Sequence, residues 1–170
     1  MTEIEAKPIA HAWSKDALLA KAQLYAEQMI ATPRDDWQYA FWSSLALELL
    51  ARAALANVSP VLLADQTSWH NVYYALGHTP TTSKFVPRSV GVSTVFTRLK
   101  AIIPTFLPSM EAFAVVHMSR RNEELHSGET AFDAVATAVW LPSYFETCDV
   151  LLQSLGFALD NLFGPGEAAV

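Results

Sequence analysis

The chain predicts an all-α protein, an up-and-down helical bundle of four to five long helices with shorter ones between them. Apolar residues recur at three- and four-residue spacing along most of its length, strand-like alternation is almost absent, and only 6 of 170 residues are glycine. The length suits one domain, residues 1–170, with a core over roughly 14–163.

Ser14 is placed to cap a first helix over Ala17–Ile30, which Pro33 closes. Asp35 or Asp36 then starts a second, Trp37–Ala56, apolar on nearly every side and therefore central. Its polar residues Ser44, Glu48 and Arg52 fall four apart, in one narrow stripe, and Glu48 with Arg52 forms an i,i+4 pair. Gln66–Leu76 reads as a short helix or turn, and Gly77–Pro87 as a loop broken by prolines. Val90–Ile103 forms a third long helix before Pro104. Pro108-Ser109 opens a fourth, Met110–His126, with Gly128 where a left-handed stop is expected. The last begins near Pro142. Leu141, Phe145, Cys148, Leu152, Leu155, Leu159 and Leu162 form its heptad seam, and Gly156 bends or breaks it.

Composition narrows the function classes. The chain is 52% hydrophobic with mean hydropathy +0.21, which excludes disorder and leaves apolar surface for a subunit interface. Cys148 is the sole cysteine, so there is no internal disulfide, as in a reducing cytosol, and no thiolate metal cluster. Met1-Thr2-Glu3-Ile4-Glu5 lacks a signal-peptide apolar region, and Glu48 and Arg52 interrupt the most apolar stretch, so a cytoplasmic protein without a membrane span is expected. There is no glycine-rich phosphate loop and no histidine–glutamate metal motif, so neither cofactor nor metal is expected.

Net charge is −6, but it is unevenly spread. Residues 84–121 carry Lys84, Arg88, Arg98, Lys100, Arg120 and Arg121 against Glu111 alone, whereas residues 122–170 carry eight acids and no Lys or Arg. A local basic window can attract a polyanion while the whole protein stays acidic. Arg120, Arg98 and Lys100 are the candidate phosphate contacts.

The window runs into Arg120-Arg121-Asn122-Glu123-Glu124-Leu125-His126-Ser127-Gly128. Arginine holds phosphate and histidine moves protons near neutral pH, which suffices for cutting RNA without a metal. The bare arginine–histidine spacing is common by chance. It gains weight from Asn122 directly after the arginine, from the helix end and from the basic window. On a helix Asn122 and His126 stack about 40° apart, close enough for a side-chain hydrogen bond, whereas Arg121 stands about 140° from His126. Either the long arginine side chain reaches around the helix or a second subunit completes the site. The competing structural reading pairs Arg120 and Arg121 with Glu123 and Glu124. His117, one turn before Arg121, is a possible accessory group but better explained as a hydrogen-bonded core histidine. His70, Tyr73 and Tyr74 suit base stacking or aromatic packing. Trp37, Trp42, Trp69 and Trp140 are expected in the core, and Cys148 is expected to be inert.

The Arg-Asn-x-x-x-His-x-Gly run, on the penultimate long helix of an apolar bundle, resembles the HEPN family, and Leu45–Leu55 resembles its apolar early helix. The resemblance spans roughly residues 37–163. It implies a helical bundle that dimerises so that two motifs share a cleft, and a metal-independent endoribonuclease, in many members a toxin or antiphage effector with a partner such as an antitoxin. It assigns the catalytic roles to Arg121, Asn122 and His126; His117 and Glu48 are possible accessory groups from their helix positions alone. It also admits inactive scaffolds that bind a protein or nucleotide. Gly128 stands where some members carry a tyrosine that is adenylylated.

Overall fold

The computed structural model describes residues 11–82 and 84–167. The acidic start Met1–Glu5 lies outside them. Among the described residues the protein is all-helical, with one isolated antiparallel bridge, Ala64 to Ser89, and no strand. Its helices are α1 (Lys15–Ala31), α2 (Trp37–Val58), α3 (Trp69–Ala75), α4 (Val92–Ile102), α5 (Pro108–His126), α6 (Thr137–Ser154) and α7 (Leu159–Phe163), with a 3-10 turn at Pro60–Leu63.

Local chemistry sets the early boundaries. The Ser14 hydroxyl accepts the Ala17 N–H (3.2 Å), and the Asp36 carboxylate accepts that of Gln38 (2.8 Å). Pro108 opens α5 at a position whose missing N–H costs nothing. Two boundaries differ from expectation. α6 starts at Thr137, before Pro142, because Trp140 and Leu141 are buried and extend the seam backward. Thr137 also donates its hydroxyl to the Arg34 carbonyl (2.6 Å), which pins this start. Gly128 is not left-handed: α5 ends at Ser127, whose extended backbone (φ −130°, ψ 177°) leaves the helix. The Ser127 hydroxyl donates to the Glu123 carbonyl (2.7 Å) and accepts the Glu129 N–H (3.1 Å). Gly156, at φ 81°, does end α6.

The core forms around α2, of which 12 of 22 residues are buried. Alanines at 40, 46, 51, 53 and 54 let α1, α4, α5 and α6 all approach it. α1 presents Leu18, Ala22, Ala26 and Met29, one stripe at helical spacing. The α6 seam packs into the same cluster, with Cys148 fully buried. Two aromatic expectations fail. Trp69 is 62% exposed and Trp37 38%, because α3 buries only Asn71 and Ala75, and Trp37 is the first residue of its helix. The segments 63–65 and 88–90 hold the intervening loop to the bundle through Asp65 N–H to Arg88 carbonyl (3.1 Å) and Val90 N–H to Leu63 carbonyl (2.9 Å).

His117 lies within this core, fully buried against Phe113, Phe132, Trp140 and Tyr144. Its Nε2 is 2.8 Å from the Ser43 hydroxyl, and Nδ1 has no partner among the described residues. Burial, with the charges of Arg120 and Arg121, lowers its pKa to about 3. The native state therefore keeps His117 neutral where the unfolded chain takes up a proton. Stability from this group is full above the ordinary value of 6.5 and falls as pH drops toward 3. In urea denaturation between pH 7 and 5, wild type should lose up to about 1.4 kcal/mol per pH unit below 6.5 on this account. His117→Gln should be less stable at pH 7 but flatter across that range; an equally steep variant would refute the assignment.

Candidate functional site

Of the site residues, Arg121 and Glu48 meet where α5 lies over α2. An ideal helix puts Arg121 on the same side as His117 and Ala114, both fully buried, while Asn122 and His126 fall on the outward side. The structure agrees: the Arg121 side chain is 13% exposed, and Asn122 and His126 are exposed.

Arg121 is gripped from two directions. Its Nη1 donates to Glu48 Oε2 on α2, and its Nε and Nη2 donate to Asn122 Oδ1 (3.3 and 3.1 Å). Glu48 is shared, since its Oε1 accepts from Arg52 Nε and Nη2 (3.0 and 2.8 Å). Arg52 in turn donates to the Ser89 hydroxyl and to the Val90 carbonyl, both at 3.2 Å. One carboxylate between two guanidiniums thus joins α2, α5 and the segment leading into α4. Burial alone would push the Glu48 carboxyl up, but charge and hydrogen bonds from Arg52 and Arg121 outweigh it and hold the pKa below the usual 4.5. Glu48 is therefore ionised at neutral pH, with a role in orienting Arg121.

The placement corrects several expectations. Asn122 accepts from Arg121 and makes no hydrogen bond to His126. Neither Arg120 nor Arg121 pairs with Glu123 or Glu124; Glu124 instead accepts the Phe132 N–H (3.3 Å), which draws the following loop onto α5. His117 is sealed in the core and not part of an open site. The basic window does not gather as one patch. Lys100 pairs with Glu111 near the start of α5, about 15 Å along the helix from Arg120 and Arg121. Arg98 donates to the Leu62 carbonyl. Arg120, half-buried, makes no hydrogen bond or ion pair among the described residues.

Arg121 and His126 of one chain consequently face different sides of α5. A phosphate held by Arg121 and a proton moved by His126 would converge only if a second surface brought the complementary group across. No cluster of three or more metal-ligating side chains occurs among the described residues, and no helix among them is long and apolar enough to cross a membrane. A cavity of about 370 Å³ between the α1–α2 turn and the start of α6 contains none of these site residues. The Glu48–Arg121 contact was the feature hardest to foresee. Its signal was the charged stripe on an otherwise apolar central helix, which needs cations beside it. No family model, curated protein or solved structure matches the chain.

The end of α5 gives a direct test of what holds His126 in place. Ser127→Ala removes a hydroxyl that bonds in both directions and should cost about 1 kcal/mol in thermal or urea denaturation. Gly128→Ala meets nothing within 4 Å and should be neutral or slightly stabilising. The reverse order would restore Gly128 as the helix stop.

Proposed function

We propose that the chain is a HEPN-like, metal-independent endoribonuclease, an up-and-down bundle that works as a homodimer with the motifs of two copies in one cleft. The carrying observation is an arginine clamped by Glu48 and Asn122, one to two turns from a free, exposed histidine. A fixed guanidinium suits a phosphate that must be bound in one orientation, and an unbonded imidazole is available to exchange protons.

The chemistry follows from those roles. The RNA 2′-oxygen attacks the adjacent phosphorus, and its proton passes to His126 of one copy. The bond between phosphorus and the 5′-oxygen breaks, and that oxygen takes a proton from His126 of the other copy. Arg121 stabilises the charge that grows on the non-bridging oxygens. The products end in 2′,3′-cyclic phosphate and 5′-hydroxyl, and DNA is spared for want of the 2′-hydroxyl. A toxin or antiphage setting in the cytoplasm, with an antitoxin or other defence partner, belongs to the same reading. The second reading is a catalytically inactive scaffold that binds a protein or nucleotide at this face. It is favoured by the Glu48 carboxylate that already engages Arg121 Nη1.

Incubation of cellular RNA with purified protein in EDTA separates the two. Wild type should produce cyclic-phosphate ends, and Arg121→Ala and His126→Ala should each lose at least about 100-fold in rate while remaining folded. Equal cleavage by His126→Ala would contradict the mechanism, and absence of cleavage by folded, dimeric wild type would favour the scaffold.

A further inference from the structure

A second cavity, about 540 Å³, lies between the segment before α3 and the loop that returns to α4. Its lining includes Lys84 and Arg88 and no carboxylate. Neither cation forms an ion pair among the described residues. Asp65 lies within the field of Arg88, but its carboxylate accepts the Thr67 N–H (2.8 Å). Thr67 and Ser68 also line the cavity.

The walls are held from below. Asn71, buried, donates from Nδ2 to the Asp65 carbonyl (2.9 Å) and accepts the Arg88 N–H at Oδ1 (3.0 Å). The backbone of Arg88 is thereby locked while its side chain stays free. Phe85 and His70 supply an aromatic wall, their rings 6.1 Å apart, and Tyr74 supports Phe85 at 6.0 Å. Two cations suit phosphate oxygens and an aromatic wall suits a base, and the volume falls in the range of small-molecule sites.

The cavity is also joined to the candidate catalytic cluster. Arg88 directly precedes Ser89, whose hydroxyl accepts from Arg52, and Arg52 shares Glu48 with Arg121. The first two cations of the basic window, Lys84 and Arg88, which the Arg121–His126 site leaves unused, lie here.

We propose that this cavity binds a nucleotide unit, its phosphate on Lys84 and Arg88 and its base against Phe85 and His70. The occupant is a single-stranded segment of RNA held apart from the phosphate being cut. The choice of RNA over a free nucleotide rests on the nuclease reading above; the pocket chemistry does not.

The test uses the full chain with His126→Ala, so that binding is measured without cleavage. A single-stranded RNA oligonucleotide is titrated by fluorescence anisotropy from 50 to 200 mM salt, and AMP by calorimetry. Lys84→Ala with Arg88→Ala should weaken RNA binding at least tenfold and reduce its salt slope by about 1.4, the share of two phosphate contacts. Lys84→Gln with Arg88→Gln should do the same, and both should melt with the parent, since neither side chain bonds to the fold. AMP that competes with RNA would show that free nucleotides also enter; RNA binding without AMP binding would show that a strand is needed. AMP binding weakened by the variants, with RNA unaffected, would support the pocket and remove the RNA choice. If wild type cuts nothing but the variants bind more weakly, the nuclease reading fails and the pocket stands. A parent that binds neither ligand, or variants that bind both as tightly as the parent, would overturn the proposal.

Discussion

The Glu48 carboxylate is the constraint around which the rest is arranged. α2 is so uniformly apolar that burial alone leaves its rotation about its own axis poorly specified. Glu48 and Arg52, one turn apart, supply the missing direction: this stripe must meet donors and acceptors, and α5 and the 88–90 segment provide them. Two guanidiniums on one carboxylate leave a local excess of positive charge. The Ser89 hydroxyl, the Val90 carbonyl and Asn122 Oδ1 take up further N–H donors, as partly buried charges require.

From that grip the geometry of the motif follows. With Arg121 turned toward α2, helical periodicity turns His126 outward by about 140°. The same turn that anchors the arginine therefore exposes the histidine, and the two candidate groups stand on different sides of α5. His117, on the anchored side, is held neutral in the core, away from the exposed candidate groups. The basic window divides similarly. Lys100 and Arg98 are tied down by Glu111 and the Leu62 carbonyl, while Lys84 and Arg88 remain free in the cavity beside α3.

Much of the fold was legible because it rests on local signals. Ser14, Asp36 and Pro108 each announce a helix start through chemistry within three residues, and the 141–162 seam announces the last helices by its spacing. Errors arose where a distant contact outweighs a local cue. Pro142 looked like a start, but buried Trp140 and Leu141 carry the helix back through it. Gly128 looked like a stop, but Ser127 reaches the Glu123 carbonyl first. Trp69 looked like core, although its helix is too short to bury two faces. For the site, residue identities were readable and partners were not. Glu48 lies 73 positions before Arg121, and only packing reveals that they touch.

The arrangement of α2 and α5 rests most directly on the coupling of those two residues. Urea denaturation at pH 7 of wild type, Glu48→Gln, Arg121→Met and the double variant forms a double-mutant cycle. A direct, partly buried ion pair predicts that the losses fall short of additivity by about 1–2 kcal/mol. Additivity within about 0.5 kcal/mol would mean that Glu48 does not hold Arg121, and the arrangement built on that grip would be wrong.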